Sequence, residues 1–199
     1  METKRGVGMY LMIALGVLLL AIGFWFFFSY NTLVKKEEAT KASWAQVEST
    51  MQRKLDLLPN LVKTVKAYAQ HETKLLTEVT KLRAEALKQI EEKTTDPQRL
   101  KTLAVLQHRL DAGIGRLMAV AENYPELKSS EQFLQLQAQI EGTENRINIT
   151  RMQFNEAVAD YNAYLRTLPA NIVAAIAHFA PKAYFKAQKA AHQKLELDL

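Results

Sequence analysis

Cysteine is absent from the 199-residue sequence. The protein therefore has no disulfide, no thiolate nucleophile, no cysteine-ligated zinc or iron–sulfur cluster and no lipid-modified cysteine. Glycine and proline are scarce, with 7 and 5 residues, and so few breakers over long amphipathic stretches indicate long helices. The sequence also lacks a Gly-x-Ser-x-Gly motif, a Walker loop and a dinucleotide-binding glycine set. These absences exclude the enzyme classes that such motifs define.

Positive charge exceeds negative charge only slightly. The 26 lysine and arginine residues and the 21 aspartate and glutamate residues give a formal net charge of +5, and the two signs are interleaved along most of the chain. A nucleic-acid-binding protein normally clusters its basic residues on one face, with stacking aromatics or a recognisable motif. The sequence shows neither feature, so we expect no nucleic-acid partner.

The first thirty residues form one hydrophobic block without charge from Gly6 to Tyr30. At ~1.5 Å per residue, a helix over residues 7–30 would reach roughly 36 Å, enough for the ~30 Å hydrocarbon core of a bilayer. A cleaved signal peptide is the alternative, but its apolar region is ~7 to 15 residues long, and no small-residue cleavage site follows this block. We predict a membrane anchor in residues 1–30, with the span at about 7–30.

The flanks of the span differ little in charge. The Lys4-Arg5 pair directly precedes the span, whereas the lysines on the other side stand further from it. By the positive-inside rule this favours an internal amino end and an exported domain, but the charge difference does not decide on which side of the membrane the domain lies.

Small residues recur along one side of the span, either as ordinary composition or as a face that lets a second helix approach. They are Ala14, Gly16, Ala21 and Gly23.

Residues 31–180 show helical periodicity and no strand pattern. Apolar residues spaced by three and four continue from the anchor to Leu58. Proline disfavours helical backbone at the residue before it and suits the first turn of a new helix. Pro59 therefore predicts a corner and the start of a second helix, which runs to about Glu92.

A third helix is predicted from Pro97 to about Tyr124, because Asp96 is a good N-cap and proline fits the first helical position. Gly113 and Gly115 interrupt it in the stretch DAGIGRL. No strand precedes them, so we interpret them as close helix contacts rather than as a phosphate-binding loop.

The fourth helix has the clearest pattern, with apolar residues seven apart. A straight helix drifts by ~20° per heptad, so a sustained heptad requires left-handed packing against neighbouring helices. A fifth, short helix should follow from Pro169 to about Phe179, and residues 181–199 form a polar tail. The predicted fold class is all-α: a single N-terminal transmembrane helix, then an up-and-down antiparallel four-helix bundle with a short extra C-terminal helix. The heptad residues are Phe133, Ile140, Ile147, Phe154, Tyr161 and Leu168.

Three charged residues occupy apolar stripes: Glu72, Glu144 and Arg151. An unpaired buried ion costs several kcal/mol, so we expect these groups to pair and to fix helix register. Arg151, Arg83, Arg53 and His71 are the available partners for the carboxylates. The alternatives are an acid poised for proton transfer or a carboxylate–histidine metal site. The metal site is disfavoured because HETKLL lacks the second histidine of His-Glu-x-x-His.

An asparagine series follows the heptad core residues of the fourth helix, at Asn148, Asn155 and Asn162. Asparagine is a mediocre helix former, so its recurrence needs a reason. Either the amides bind a neighbouring or partner helix, or they form a solvated stripe. The sequon at Asn148 lies within a predicted helix and is incidental.

Long motifs cover residues 30–185: YNTLV, ASWAQVE, RKLDLLPNLVKTVKAYAQHE and LMAVAENYPELKSSEQFLQLQAQIEGTENRINITRMQFNEAVADYNAYLRTLPANIVA. In these motifs the chain resembles the LemA family of bacterial membrane proteins, whereas about the last dozen residues resemble it less. The positions that match the family are Asp56, Pro59, Asn60, His71, Glu72, Glu122, Tyr124, Pro125, Glu141, Glu144, Asn145, Arg146, Tyr161, Asn162 and Pro169.

The resemblance implies an all-α bundle behind a single span in the bacterial inner membrane, without enzyme activity. It associates the chain with envelope organisation, with membrane metalloprotease and stress contexts, or with magnetosome assembly. We predict a membrane-anchored, non-enzymatic helical scaffold that self-associates or binds other envelope membrane proteins, with no cofactor. The alternative is a ligand- or metal-dependent envelope sensor using His71, Glu72 and the seam carboxylates. A hydrolase acting through Glu72 or Glu144 is a third hypothesis.

Overall fold

The computed structural model describes residues 2–92 and 96–186. These residues form six helices and no strand, so the all-α class and the long apolar N-terminal helix are confirmed. Four helices are long and two, α4 and α6, are short. Most of the predicted polar tail, residues 187–199, lies outside the described residues. The helices are α1 (Glu2–Tyr68), α2 (Thr73–Glu91), α3 (Pro97–Ala121), α4 (Pro125–Lys128), α5 (Glu131–Arg166) and α6 (Ala170–Ile176).

The predicted corner at Pro59 is wrong, because α1 continues through this residue to Tyr68. A proline inside a helix has no N–H for the carbonyl four residues earlier, which here belongs to Leu55. Arg83 of α2 replaces the missing donor: its Nε donates to the Leu55 carbonyl at 2.8 Å. The corner lies instead at residues 69–72, and α2 begins after Glu72 rather than at Pro59.

The described chain divides into two compact units. The anchor unit comprises the residues up to Lys41 together with Ala157–Lys182, and the core unit comprises Ala42–Glu156 and the described residues from Ala183 onward. Both α1 and α5 contribute to each unit.

The core unit is built around one apolar cluster to which α1, α2, α3, α4 and α5 all contribute. In α1 the buried positions follow strict three-four spacing through Pro59, which is the pattern of a helix packed on other helices. Leu58, Leu61 and Val65 are each no more than 1% exposed. The other helices face them with Leu76, Val79, Leu82, Leu110, Leu117, Leu127, Phe133 and Ile140.

The contact between α2 and α3 depends on one of the two glycines of α3. A Cβ atom at Gly113 would lie 3.0 Å from Val79 Cγ2, whereas one at Gly115 would meet nothing within 4 Å. The predicted close approach therefore exists at Gly113 and not at Gly115. The predicted cap of α3 is confirmed, since the Asp96 side chain accepts hydrogen bonds from the Gln98 and Arg99 amides at 2.9 Å.

The anchor unit has its own small core, formed by the C-terminal end of the apolar part of α1, the end of α5, and α6. Leu33, Tyr161, Leu165, Val173 and Ala174 are buried together, with Trp25, Phe26, Tyr164 and Phe179 packed against them.

The heptad of α5 is confirmed over its first five residues, each no more than 6% exposed. Its predicted sixth member, Leu168, is 79% exposed. The heptad ends there because α5 ends at Arg166. The fifth predicted helix exists as α6, but it is shorter than expected and spans Ala170–Ile176.

Candidate functional site

The main polar site of the core unit is centred on Lys54 of α1, whose side chain is only 4% exposed. Its ammonium contacts the carboxylates of Asp111 in α3 and Glu144 in α5. Arg151, about two turns further along α5 than Glu144, interacts electrostatically with both carboxylates. Two cations and two anions thus neutralise one another. We call Lys54, Asp111, Glu144 and Arg151 the ionic quartet.

Sequence reasoning predicted Glu144 and Arg151 but missed Lys54 and Asp111. Its candidate partners for the seam carboxylates were arginines and His71, and only Arg151 belongs to the quartet. The missed signal is positional: Lys54 stands at a three-four stripe position between Met51 and Leu58. A lysine at such a position is buried by its neighbours and must find a carboxylate.

Burial changes the proton affinity of two quartet members. It raises the pKa of the Asp111 carboxyl above 3.8, although Lys54 opposes the change. It lowers the pKa of the Arg151 guanidinium, with Glu144 and Asp111 opposing. Arginine nevertheless remains a cation at neutral pH. The quartet is therefore a partly desolvated charge network that joins three helices, and both of its carboxylates are bound by the buried Lys54 ammonium.

A second buried cation, Arg99, joins the beginning of α3 to α1 and to the end of α2. Its Nη2 contacts Glu48 at 2.9 Å, and its Nε donates to the Gln89 carbonyl at 2.8 Å. The guanidinium also lies over the Trp44 ring, whose Nε1 donates to Glu48. A helix end needs donors for its last carbonyls, and Arg99 supplies them. Arg99 was not predicted from the sequence.

In the core unit, Asn155 holds the chain after α6. Its amide nitrogen donates to the Phe185 carbonyl at 2.9 Å, and its oxygen accepts from the Phe185 N–H at 2.8 Å. The Phe185 ring is buried, stacks near Trp44 and lies 4.2 Å below the Arg151 guanidinium. The Asn155 side chain in α5 thus satisfies both backbone hydrogen-bonding groups of Phe185, as a neighbouring strand would.

In the anchor unit, Asn162 makes the same two hydrogen bonds to the backbone of Lys182, both at 2.9 Å. Tyr161 donates to the Ala180 carbonyl, and burial raises the pKa of its phenol to about 12, so the hydroxyl keeps its proton. Lys182 in turn contacts Glu37 at 2.9 Å. Two of the three predicted asparagines therefore bind backbone, while Asn148 is exposed.

The polar residues around the predicted corner do not form a site. His71 and Asn60 are exposed, and Glu72 is half-buried and makes no side-chain cap bond to α2. Asp56 accepts from Gln52 at 3.0 Å and lies 3.9 Å from Arg83. His71 lies in the exposed turn between the end of α1 and the start of α2.

The described residues offer little for acid–base or metal chemistry. Within residues 2–92 and 96–186 no three His, Asp or Glu side chains are placed to hold one metal ion. A groove of about 620 Å³ in the core unit runs between α3 and residues 183–186. Its described lining includes Leu100, Ala104, Val105 and Tyr184, with Lys101 and Lys186 as its charged groups. This chemistry fits a binding surface rather than a reaction centre.

Comparison with known families identifies the family. The sequence model of the LemA family matches residues 43–198. The chain belongs to the LemA family. The resemblance inferred from the motifs is thereby confirmed, and the match includes the quartet, Arg99 and both backbone-binding asparagines.

Named relatives of this LemA-family chain include proteins of magnetosomes. Magnetosome protein MamQ 2 of Paramagnetospirillum magneticum is 28% identical, over 81% of this chain and 66% of that protein. Magnetosome protein MamQ of Magnetospirillum gryphiswaldense is 27% identical, over 92% and 76%. Protein LemA of Metamycoplasma hominis is 26% identical, over 78% and 69%. The chain spans about two thirds of the length of the first of these relatives.

Proposed function

We propose that this LemA-family chain is a membrane-anchored, non-enzymatic helical scaffold of the bacterial envelope that associates with further copies of itself. The observation that carries the proposal is the continuity of α1. One helix contains both an exposed apolar stretch with a mean hydropathy of 2.6 and the buried positions of the core unit, such as Leu58 and Leu61. The chain has a helix that is long and apolar enough to cross a bilayer.

The charge arrangement supports a structural rather than a catalytic role. A catalytic acid needs a perturbed pKa together with access to substrate. The most deeply buried charged side chains, those of Lys54 and Arg99, are engaged by partners from other helices. The Asp111 carboxyl, whose pKa burial raises, is itself bound by the Lys54 ammonium. The names of the relatives agree with this role, since they denote magnetosome and LemA proteins rather than enzymes.

Self-association would use the outward side of α5 in the core unit. Ile149 and Met152 are 52% and 69% exposed, and Asn148 beside them is exposed as well. Two large apolar side chains next to an unused amide resemble the centre of a small helix–helix interface. Aliphatic residues so placed lose water-exposed area when a second copy binds.

Photo-crosslinking in native membranes tests the proposal. The photoreactive residue benzoylphenylalanine replaces Met152 or Ile149, and Lys63, an exposed residue of α1, serves as the matched control. We expect adducts with a second copy, identified by mass spectrometry, from the two α5 positions and not from Lys63. Monomer alone from both α5 positions, without a reproducible membrane-protein partner, would contradict the proposal.

The side of the membrane is part of the proposal. The charge bias around the span favours an exported domain. Protease added to spheroplasts should then cleave within residues 31–186 while a cytoplasmic marker stays intact. Protection until the membrane is broken would place the domain inside.

A further inference from the structure

Helix α6 of the anchor unit is apolar on both of its sides. Ala170, Val173 and Ala174 are no more than 3% exposed. On the other side, Ile172 and Ile176 are 51% and 61% exposed. A helix that is hydrophobic all round is normally buried in protein or in lipid.

The apolar surface extends beyond the helix itself. Leu168, four residues before Ile172, is 79% exposed. At 100° per residue, Ile172 and Ile176 lie on one side of α6, and Leu168 lies in the turn that precedes this helix. The chain carries no charged residue from Thr167 to Ala177, and Asn171 is the one exposed amide of α6, a composition suited to the interfacial layer of a bilayer rather than to its hydrocarbon centre.

The position of α6 relative to the span indicates what covers this surface. The buried side of α6 belongs to the cluster against which Trp25 and Phe26 of the apolar part of α1 pack. The Tyr30 ring lies 5.8 Å from that of Phe179, just after α6. Helix α6 therefore lies beside the last apolar turns of α1, whose own outward side chains, such as Phe28, are exposed for contact with lipid.

Charged groups begin only further along α1. Lys36 contacts Asp160 at 2.6 Å and lies over the Tyr164 ring, and Glu37 contacts Lys182 at 2.9 Å. Trp and Tyr rings favour the level of the lipid headgroups, and Trp25, Tyr30 and Tyr164 occupy the zone before these ion pairs. The boundary between lipid and water in this unit thus falls close to α6.

We propose that α6 is a second membrane contact: Leu168, Ile172 and Ile176 enter the interfacial layer of the bilayer that α1 crosses. Lipid covers this surface, because the exposed apolar side chains of α6 adjoin the exposed apolar side chains of the span. Interfacial helices bind in this way, with their apolar side in the headgroup and acyl boundary. The inference rests on the anchoring role of α1 in the proposed function, and it adds a contact that the span alone does not provide.

The absence of cysteine allows a direct test with single labels on the full chain. Ile172→Cys and Ile176→Cys carry nitroxide labels in vesicles of phosphatidylethanolamine and phosphatidylglycerol. Collision rates are measured with oxygen, which partitions into lipid, and with a water-soluble nickel complex. Phe28→Cys is the control for lipid, and Ala159→Cys, on an exposed position of α5, is the control for water. All four positions are exposed, so the labels do not disturb packing.

We expect the ratio of oxygen to nickel collisions at positions 172 and 176 to match position 28 and to exceed that at 159 several-fold. Two results would overturn the inference: a ratio equal to that at 159, which means water, or few collisions with either reagent, which means cover by a second copy. A nickel-accessible label at position 28 would instead show that the span itself is absent from the bilayer. The failure of the proposed anchoring is thus separable from the failure of the α6 contact.

Discussion

At the scale of single residues, Lys54 is the cation that neutralises the two carboxylates of the ionic quartet. Its ammonium is the nearest cation to both Asp111 and Glu144. Replacing Lys54 with methionine keeps the apolar stem but leaves two carboxylates without their main partner. Removing one member of a buried ion pair costs about 3–5 kcal/mol. The carboxylate side chains are about one third exposed, so water screening reduces the expected loss to roughly 2–3 kcal/mol.

Thermal and urea unfolding of the chain in detergent micelles, followed by circular dichroism, measures this loss. Lys63→Met is the matched control, because Lys63 is an exposed lysine on the same helix. Exposed substitutions usually change stability by less than about 0.5 kcal/mol. Equal stability of the two variants would show that Lys54 is not needed to neutralise the core.

Asp111 gives the quartet a dependence on pH. Because burial raises the pKa of its carboxyl above 3.8, the folded chain binds this proton more tightly than the unfolded chain does. Protonation therefore adds stability as the pH falls toward 3.8, and this gain is lost as the pH rises through the raised value. Asp111→Asn lacks the titration. The stability of Asp111→Asn relative to the natural chain should be highest at neutral pH and should fall on acidification, as measured by urea unfolding across pH. A relative stability that rises in acid would mean that Lys54 outweighs burial and lowers the Asp111 pKa.

Residue-level prediction from sequence succeeded where a pattern defined the environment and failed where a partner came from a distant helix. The first five heptad residues of α5 could be assigned because period alone decides which side is buried. Lys54, in contrast, lies on the stripe of α1, and its partners are 57 and 90 residues away. Such separations carry no local signal. Asn155 and Asn162 were identified as a series, but they bind a backbone segment whose own sequence shows no helical or strand periodicity.

At the scale of helices, Arg83 explains how α1 passes through Pro59. A proline in a helix interior costs about 3 kcal/mol, part of it through the unpaired carbonyl. Arg83→Met leaves the buried Leu55 carbonyl without a donor and should cost about 1–3 kcal/mol. In a Pro59→Ala background, the new N–H of residue 59 can bond the same carbonyl, so the Arg83→Met change should cost less.

The double-mutant cycle of these two changes isolates the effect. We expect a coupling of about 1 kcal/mol from unfolding in detergent, within the range for residues that share a partner. Lys81→Met, an exposed lysine of α2, should show no coupling to Pro59→Ala. Strict additivity of Arg83→Met and Pro59→Ala would refute the replacement of the lost donor by Arg83.

The two glycines of α3 provide a second pair of opposite predictions. Glycine in a helix interior is less stable than alanine by about 0.5–1 kcal/mol. Gly115→Ala should therefore stabilise α3 by that amount, since the added Cβ meets nothing within 4 Å. Gly113→Ala places a Cβ 3.0 Å from Val79 Cγ2, and we expect it to destabilise the natural chain but not the Val79→Ala chain, where the contacting methyl is absent. Melting temperatures of Gly115→Ala, Gly113→Ala, Val79→Ala and the Gly113→Ala/Val79→Ala double variant decide this. If Gly113→Ala stabilised the chain as Gly115→Ala does, α2 would be able to move away from residue 113 without loss of stability.

The misplaced corner shows the limit of local rules for helices. Proline signals a break with good reason, yet the stripe of Val47, Met51, Lys54, Leu58, Leu61 and Val65 keeps its phase across Pro59. That continuity was readable from the sequence and was the better guide. The real corner at residues 69–72 has no proline or glycine, so no local breaker signal marks it. The cap of α3 was predictable because Asp96 and Pro97 act locally.

At the scale of the whole molecule, a LemA-family chain combines a helix able to cross a bilayer with helices whose buried charges are paired internally. The class, the apolar N-terminal helix and the family could be predicted from periodicity, composition and motif. The assignment of α6 to the anchor unit could not, since it depends on contacts between residues more than a hundred positions apart, such as Tyr30 and Phe179.

The central claim is that the ionic quartet serves the fold and that the chain acts through assembly rather than chemistry. The decisive measurement is the crosslinking yield from position 152 in native membranes for the chain carrying Lys54→Met, Asp111→Asn, Glu144→Gln and Arg151→Met together. Neutral replacement of a whole buried ionic cluster is often tolerated, so we predict a folded chain with an unchanged yield of adducts with a second copy. A variant that melts as the natural chain does but has lost those adducts would contradict the claim, because the charges would then act outside the core.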